Sequence, residues 1–235
     1  MPKKKPTFKS SPKKYHPNGL TILFEDHDII VVDKISGLLV VGTDREKVKT
    51  VHFLLNDYVQ KGNAKSKKRV YIVHRLDRET SGILVFAKDE KAKRYLQDKW
   101  EAFDKTYFGV VYGKLQEKEG LISSYLRENK AYRMYSTDDS EKGKLSKTGY
   151  KVVKESGKFS LLEIKLLTGR KHQIRVHFSE KGHPIVGDRI YGRGDTGIKR
   201  LALHAASITI SHPFTDEKMT FETALPPYFK TLLNN

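Results

Sequence analysis

The sequence predicts an α+β domain, a mixed and largely antiparallel sheet flanked by helices. Three observations predict it. Strand-like runs outnumber helix-like ones, many neighbouring strands are joined by short polar turns, and no linker composition interrupts residues 19–233.

In chain order, Thr21–Phe24 and Ile29–Asp33 read as strands around the polar tetrad Glu25, Asp26, His27 and Asp28. From Glu46 to Gln60, Val48, Val51, Leu54, Leu55, Tyr58 and Val59 have helical spacing. The β-branched runs Val70–Val73 and Ile83–Ala87 bracket the polar insert His74-Arg75-Leu76-Asp77-Arg78-Glu79-Thr80-Ser81-Gly82. Asp89 reads as the N-cap of a helix reaching Ala102, with Ala92, Leu96 and Trp100 along one face. Strands follow at Thr106–Tyr112, Gly149–Val153, Phe159–Leu167, Ser207–Ser211 and Met219–Thr223, with a short helix between Lys171 and Gly182.

Composition narrows the chemistry. The 235 residues hold no cysteine, which excludes disulfides, Cys-ligated zinc, iron–sulfur clusters and thiol catalysis. No apolar run approaches the roughly 20 residues of a membrane helix, and the first twenty residues lack a secretory apolar core, so no membrane association is expected. The net charge of +17 points to a polyanionic partner. Lys3, Lys4, Lys5, Lys9, Lys13 and Lys14, with no acid among them, mark residues 1–18 as a flexible basic arm before one continuous domain, residues 19–235, of a size to be catalytic. A second basic cluster runs through Lys61, Lys65, Lys67, Lys68 and Arg69.

Some motifs mislead. Residues 192–197 match G-x-G-x-x-G, but no buried strand precedes them and no helix opens after them, so they read as a surface loop. The glycine–lysine pairs at Gly113, Gly143 and Gly157 lack the following Ser or Thr of a phosphate loop. None of the nine histidines has metal-ligand spacing, so no metal is expected.

Two clusters carry chemistry. In the insert, Arg75 and Asp77 project from one face while the chain is extended. A carboxylate among guanidinium groups keeps its charged form, which suits a nucleophile or general base better than a general acid. Thr168-Gly169-Arg170-Lys171-His172-Gln173-Ile174-Arg175 gathers cations where a strand turns into a helix, a setting for phosphate. Tyr107 and Phe108 lie on opposite faces of their strand.

HRLDRETSGILVFAK at 74–88 resembles the central motif of the RluA-type pseudouridine synthases. So do KTYFGVVYG at 105–113, LLTGRKHQIRVHF at 166–178, GHPIVGDRIYG at 182–192, LALHA at 201–205 and ILFEDHDIIVVDKISGLLV at 22–40, in the family's order from about Leu20 to Tyr228. The resemblance implies a pseudouridine synthase fold with a central active-site cleft. It also implies isomerisation of a uridine in ribosomal or transfer RNA, without cofactor or metal. By position, Asp77 is similar to the family's essential aspartate, Tyr107 to the tyrosine that stacks on the target uracil, and Arg175 to the basic partner of the aspartate. The target uridine must leave the helical stack to be reached. Arg75 or Arg78 would fill the space it leaves, and Arg170, His172, Lys68 and Arg69 are expected phosphate contacts. A cytoplasmic monomer is expected.

Many relatives carry a small RNA-binding domain before the catalytic one. Here a basic segment of about eighteen residues, six of them lysine, stands in that place, and the arm would supply nonspecific phosphate affinity. A competing reading is an RNA-binding or RNA-chaperone module with dispensable catalysis. An RNA methyltransferase is disfavoured because no cofactor loop is found.

Overall fold

A computed structural model describes residues 16–42, 46, 48–61, 63, 65–194 and 197–234. The basic arm expected over residues 1–18 lies, up to residue 15, outside the described residues.

Among the described residues eleven strands form one sheet and four helices flank it. The strands are β1 (Leu20–Glu25), β2 (Ile29–Lys34), β3 (Tyr71–Ile72), β4 (Ser81–Ala87), β5 (Asp104–Tyr112), β6 (Glu119–Glu128), β7 (Met134–Thr137), β8 (Lys144–Ser156), β9 (Phe159–Leu166), β10 (Leu203–Ser211) and β11 (Lys218–Glu222). The helices are α1 (Val51–Gln60), α2 (Glu90–Asp98), α3 (Gln173–Glu180) and α4 (Pro227–Asn234). The sheet order is β1-β2-β4-β10-β5-β9-β8-β6-β7, with β3 beside β4 and β11 beside β10. The sheet is mixed and largely antiparallel, as the sequence predicts.

The two halves of the sheet read differently because they are buried differently. All seven residues of β4 are buried. Its alternate side chains feed two cores: Leu84 and Phe86 join one with Val51 and Leu55 of α1, and Ile83 and Val85 join the other with Ala92 and Leu96 of α2. Burial on both faces explains the uninterrupted apolar runs of β2 and β4. In β8, Ser146, Thr148 and Tyr150 face inward while Leu145 and Lys151 are exposed.

Among the described strands the one parallel pair is β4 with β10, in mid-sheet. Here Gly82 has φ +112°, and a Cβ on it would stand 2.2 Å from the carbonyl oxygen of Ala205. Only glycine permits this approach. Across the same seam Ser81 Oγ and His204 Nδ1 are 2.8 Å apart. The insert carrying Asp77 therefore enters the sheet at its most constrained point.

Several expected boundaries are corrected. The helix expected from Glu46 starts at Val51, where Thr50 Oγ1 accepts the amide of Phe53 as N-cap. The helix from Asp89 does begin with that cap, but it ends at Asp98 and gives way to a 3₁₀ turn at Trp100–Ala102. The strand expected over Val70–Val73 is only two residues long. Strands β6 and β7 and helix α4 were not expected at all. No described helix is long and apolar enough to cross a membrane.

Candidate active site

Asp77 sits on the loop between β3 and β4, in a cavity of about 720 Å³ also lined by Arg75, Tyr107, Arg170, His172 and Arg175. The loop is pinned from beneath. Leu76 is buried, so Arg75 and Asp77 on either side of it face the cavity, as their spacing predicts. The His74 ring stacks on Trp100 at 4.1 Å, and its Nε2 accepts the Val85 amide at 3.0 Å. Burial, with nearby Lys105, pushes His74 down to about 3, so it stays neutral. Lys105 donates to the carbonyls of Trp100 and Phe103 at 2.7 and 2.6 Å, holding Trp100 in place.

After Asp77 the chain turns, and the Thr80 amide donates to the Asp77 carbonyl at 3.2 Å. Lys34, only 1% exposed, donates to the carbonyls of Ile35, Leu38 and Arg78 at 3.0, 2.9 and 3.0 Å. One ammonium thus ties the loop after β2 to the loop of Asp77. Burial pushes Lys34 down to about 8, against the pull of Glu79, Asp77 and Asp33.

The partner of Asp77 comes from α3. Arg175 Nη1 donates to Asp77 Oδ2 at 3.0 Å. Its other edge forms a two-pronged pair with Asp188, Nε to Oδ2 at 2.7 Å and Nη2 to Oδ1 at 2.8 Å. The Asp188 side chain is fully buried, and its Oδ1 also accepts the amides of Ile190 and Tyr191 at 2.9 and 3.0 Å. Burial pushes the Asp188 carboxyl up, but the hydrogen bonds and charge of Arg175, with those two amides, outweigh it and hold it below the ordinary value. Burial likewise opposes the charge on Arg175, and Asp188 and Asp77 together reverse the balance and raise its pKa. The guanidinium is thus a fixed cation presented to Asp77 from a buried mount.

His172 completes this side. It precedes α3 with φ 54°, the left-handed region, and its Nε2 lies 3.8 Å from Asp77 Oδ1. Tyr191 Oη accepts the Met134 amide at 3.0 Å and pairs with His172 Nδ1 at 2.8 Å. With Nδ1 engaged by the Tyr191 hydroxyl, Nε2 is the ring nitrogen on the side of Asp77. Burial lowers His172 against the attraction of Asp77. Arg175 also stacks over the Tyr191 ring at 5.3 Å.

Tyr107 stands on β5, 9% exposed, with its strand neighbours Ala205 on β10 and Ile164 on β9. Burial first, and the charge of Asp77 second, raise its pKa above the ordinary tyrosine value, so the phenol keeps its proton.

The expected contacts divide. Arg75 is exposed at the cavity and makes no hydrogen bond or ion pair with any described residue. Arg78 is tethered: its guanidinium pairs with Glu46 and donates to the Gly37 carbonyl at 3.2 Å. Arg170 lines the cavity while donating at 3.4 Å to Glu101 and to the Leu145 carbonyl. Its backbone amide goes to Gln173 Oε1 at 3.0 Å rather than to an open anion cradle. Lys68 and Arg69 are exposed but do not line the cavity.

Sequence reasoning missed Asp188, Tyr191, Lys34 and the His74–Trp100 stack. Asp188 and Tyr191 stood in the GDRIYG segment, whose polar side chains on a glycine-bounded turn were the available signal.

Among the described residues, Asp26–Asp28–His212 and His27–Asp28–Asp89 lie close enough to hold a metal ion. Neither group lines the cavity. In the first, Asp26 already accepts the amides of Asp28 and Ile29 and pairs with His212 Nε2 at 2.8 Å, which accounts for it as turn chemistry. Beside Asp77 the cation is Arg175.

Comparison with known proteins agrees with this geometry. Residues 28–180 match the RNA pseudouridylate synthase family. The chain is 36% identical to the uncharacterized RNA pseudouridine synthase YhcT of Bacillus subtilis over 217 residues, 91% of this chain and 71% of the relative. It is also 36% identical to ribosomal large subunit pseudouridine synthase D of Nitrosomonas europaea, over 91% of this chain and 64% of that protein. The structure of human RNA pseudouridylate synthase domain containing 4 superposes with a TM-score of 0.76 at 22% identity, over 91% of each chain, and so shares the fold. A shared architecture and a family match that spans the Asp77 loop and α3 lead to one conclusion: the chain belongs to the RluA-type RNA pseudouridine synthases, isomerases acting on uridines in RNA.

Proposed function

We propose that this enzyme modifies a uridine of ribosomal RNA, with Asp77 as nucleophile, Arg175 as its fixed cation and Tyr107 as the surface beneath the uracil. The observation that carries the roles is the Asp77–Arg175–Asp188 chain of ion pairs, which delivers an open carboxylate to a cavity already lined by Tyr107. A volume of about 720 Å³ falls within the range of small-molecule sites and suits an extruded nucleoside.

Asp77 attacks ribose C1′ or uracil C6, or assists a glycal route. In each, the N1–C1′ bond breaks, the base turns, and C5 bonds to C1′. The proton on C5 is lost and N1 gains one, so the rearrangement balances without redox change. Tyr107, holding its proton, stacks on the flat base and lies near the protons in motion. His172 orients Asp77 from its other oxygen. With Arg78 tethered to Glu46, Arg75 is the residue placed to fill the gap left by the flipped uridine. Residues 19–235 act as the catalytic domain, and the basic segment before them adds phosphate affinity.

The name of the Nitrosomonas relative supports a ribosomal target. Mapping pseudouridines in total RNA from cells with and without the gene tests the choice. A position lost from ribosomal RNA alone is expected; a loss confined to transfer RNA would contradict it.

A further inference from the structure

The loop joining β6 to β7, residues 129–133, is fastened to Lys171 at the edge of the same cavity and holds out an exposed aromatic ring. Tyr132 is 77% exposed, although an aromatic ring gains stability by burial. Its φ is 60°, in the left-handed region that a bulky residue adopts only under strain. The turn, closed by the Tyr132 amide on the Asn129 carbonyl at 2.9 Å, sets that φ, yet it holds there a bulky exposed ring where glycine would cost less, which marks a side chain kept for contact with something else.

The mount beneath the ring is rigid. Lys171, itself at the cavity, pairs with Glu128 and donates to the Tyr132 carbonyl at 3.2 Å. Arg133 donates to the Ile190 carbonyl, and the Met134 amide donates to Tyr191 Oη at 3.0 Å. The loop is thus bolted to the two turns that hold His172 and Asp188. Lys171 is followed directly by His172, whose Nε2 is 3.8 Å from Asp77. Lys171 Nζ lies 6.0 Å from the centre of the Tyr132 ring, and the exposed cations Lys130 and Arg133 stand close to it in the chain.

We propose that Tyr132 is a stacking platform for an unpaired RNA base next to the flipped uridine, with Lys130 holding an adjacent phosphate. An exposed aromatic between cations on a preorganised support matches how proteins grip single-stranded nucleic acid. A stacked helix offers no free base face, so the platform favours targets in loops or opened stems. The inference rests on RNA being the substrate.

The test compares binding of a short fluorescein-labelled oligouridine, and of the same strand paired with oligoadenosine, by wild type and variants. Tyr132→Ala weakens the single strand roughly 10-fold, Tyr132→Phe stays within about twofold of wild type, and neither change alters duplex binding. Lys130→Ala lowers the salt slope by about one. Tyr132→Gly, which relieves the backbone, loses the same affinity without lowering the melting temperature. Single-strand binding by Tyr132→Ala within about twofold of wild type, an equal loss in Tyr132→Phe, or a lower melting temperature in Tyr132→Gly would each overturn the platform. Tritium release from RNA labelled at uridine C5 is scored separately with wild type and Asp77→Asn. A failed platform with release intact leaves the reaction standing, and Tyr132-dependent binding without release by wild type keeps the platform while rejecting the reaction.

Discussion

Replacing Asp188 by Asn is the sharpest perturbation of the site that leaves Asp77 itself untouched. The wild-type carboxylate accepts four hydrogen bonds while fully buried: two from Arg175, at 2.7 and 2.8 Å, and two from the amides of Ile190 and Tyr191, at 2.9 and 3.0 Å. Every partner is a donor. If the Asn oxygen keeps the three contacts of Oδ1, its NH₂ faces the Nε–H of Arg175, donor against donor. The reverse orientation strands three donors. Breaking a buried ion pair from one side costs about 3–5 kcal/mol. Because Arg175 keeps its bond to Asp77, the lower end applies, about 3 kcal/mol, or a fall in melting temperature of roughly 6–12 °C for a chain of this size.

Catalysis should suffer through geometry. A misplacement of about 1 Å at a reacting group costs roughly 100-fold, so kcat should fall by about that factor while KM stays within about threefold. Single-turnover tritium release, run where circular dichroism shows the variant folded, reads this directly. The pH dependence has a definite sign. A carboxylate whose pKa is depressed on folding stabilises above its unfolded pKa, and that stability is lost as pH falls through the folded value. The stability gap between wild type and Asp188→Asn should therefore be full at neutral pH and shrink below about pH 4. A kcat within twofold of wild type at an unchanged melting temperature would refute the idea that Asp188 mounts Arg175.

Three further outcomes follow from the same geometry. Gly82→Ala forces a Cβ to 2.2 Å from the Ala205 oxygen and should destabilise by more than about 4 kcal/mol in urea titration, whereas Gly169→Ala, with nothing within 4 Å, should stay within about 0.5 kcal/mol; equal effects would discount the seam. Tyr191→Phe leaves the Met134 amide and His172 Nδ1 without their shared hydroxyl and should cost about 1–2 kcal/mol and roughly tenfold in kcat; wild-type kinetics would remove Tyr191 from the positioning chain. For Lys34, whose pKa falls from 10.5 to about 8 on burial, the unfolded chain binds the extra proton between those values. Stability relative to Lys34→Met should therefore rise by about 3 kcal/mol between pH 8 and 10.5, and a flat difference would contradict it.

The contrast between Arg175 and Asp188 shows what the sequence could reveal. Arg175 stood in a dense cationic segment at a predicted strand-to-helix turn, which residue types and their order alone read as a phosphate site; its pairing with Asp77 was implied by the resemblance to the RluA-type family. Asp188 looked like an ordinary acid on a turn, because its meaning depends on α3 lying against that turn. Lys34 was hidden for a related reason: lysines are rarely fully buried, and three carbonyls from two separate loops are needed to make it so. In β4 the burial of both faces left an unbroken apolar run that was easy to read. Strand β6, half exposed, dilutes its alternation with Gly120, Ser123 and Ser124 and was missed. Thr50 before α1 and Pro227 at the first position of α4 were legible signals that went unused.

The central claim is that Asp77 performs the chemistry while the surrounding cations only hold it and the RNA. Tritium release from RNA labelled at C5 of uridine, with wild type and Asp77→Asn compared at saturating enzyme, tests it most directly. The account predicts release by wild type and none by Asp77→Asn, with RNA binding of the variant intact. Release by Asp77→Asn at a rate near wild type would contradict it.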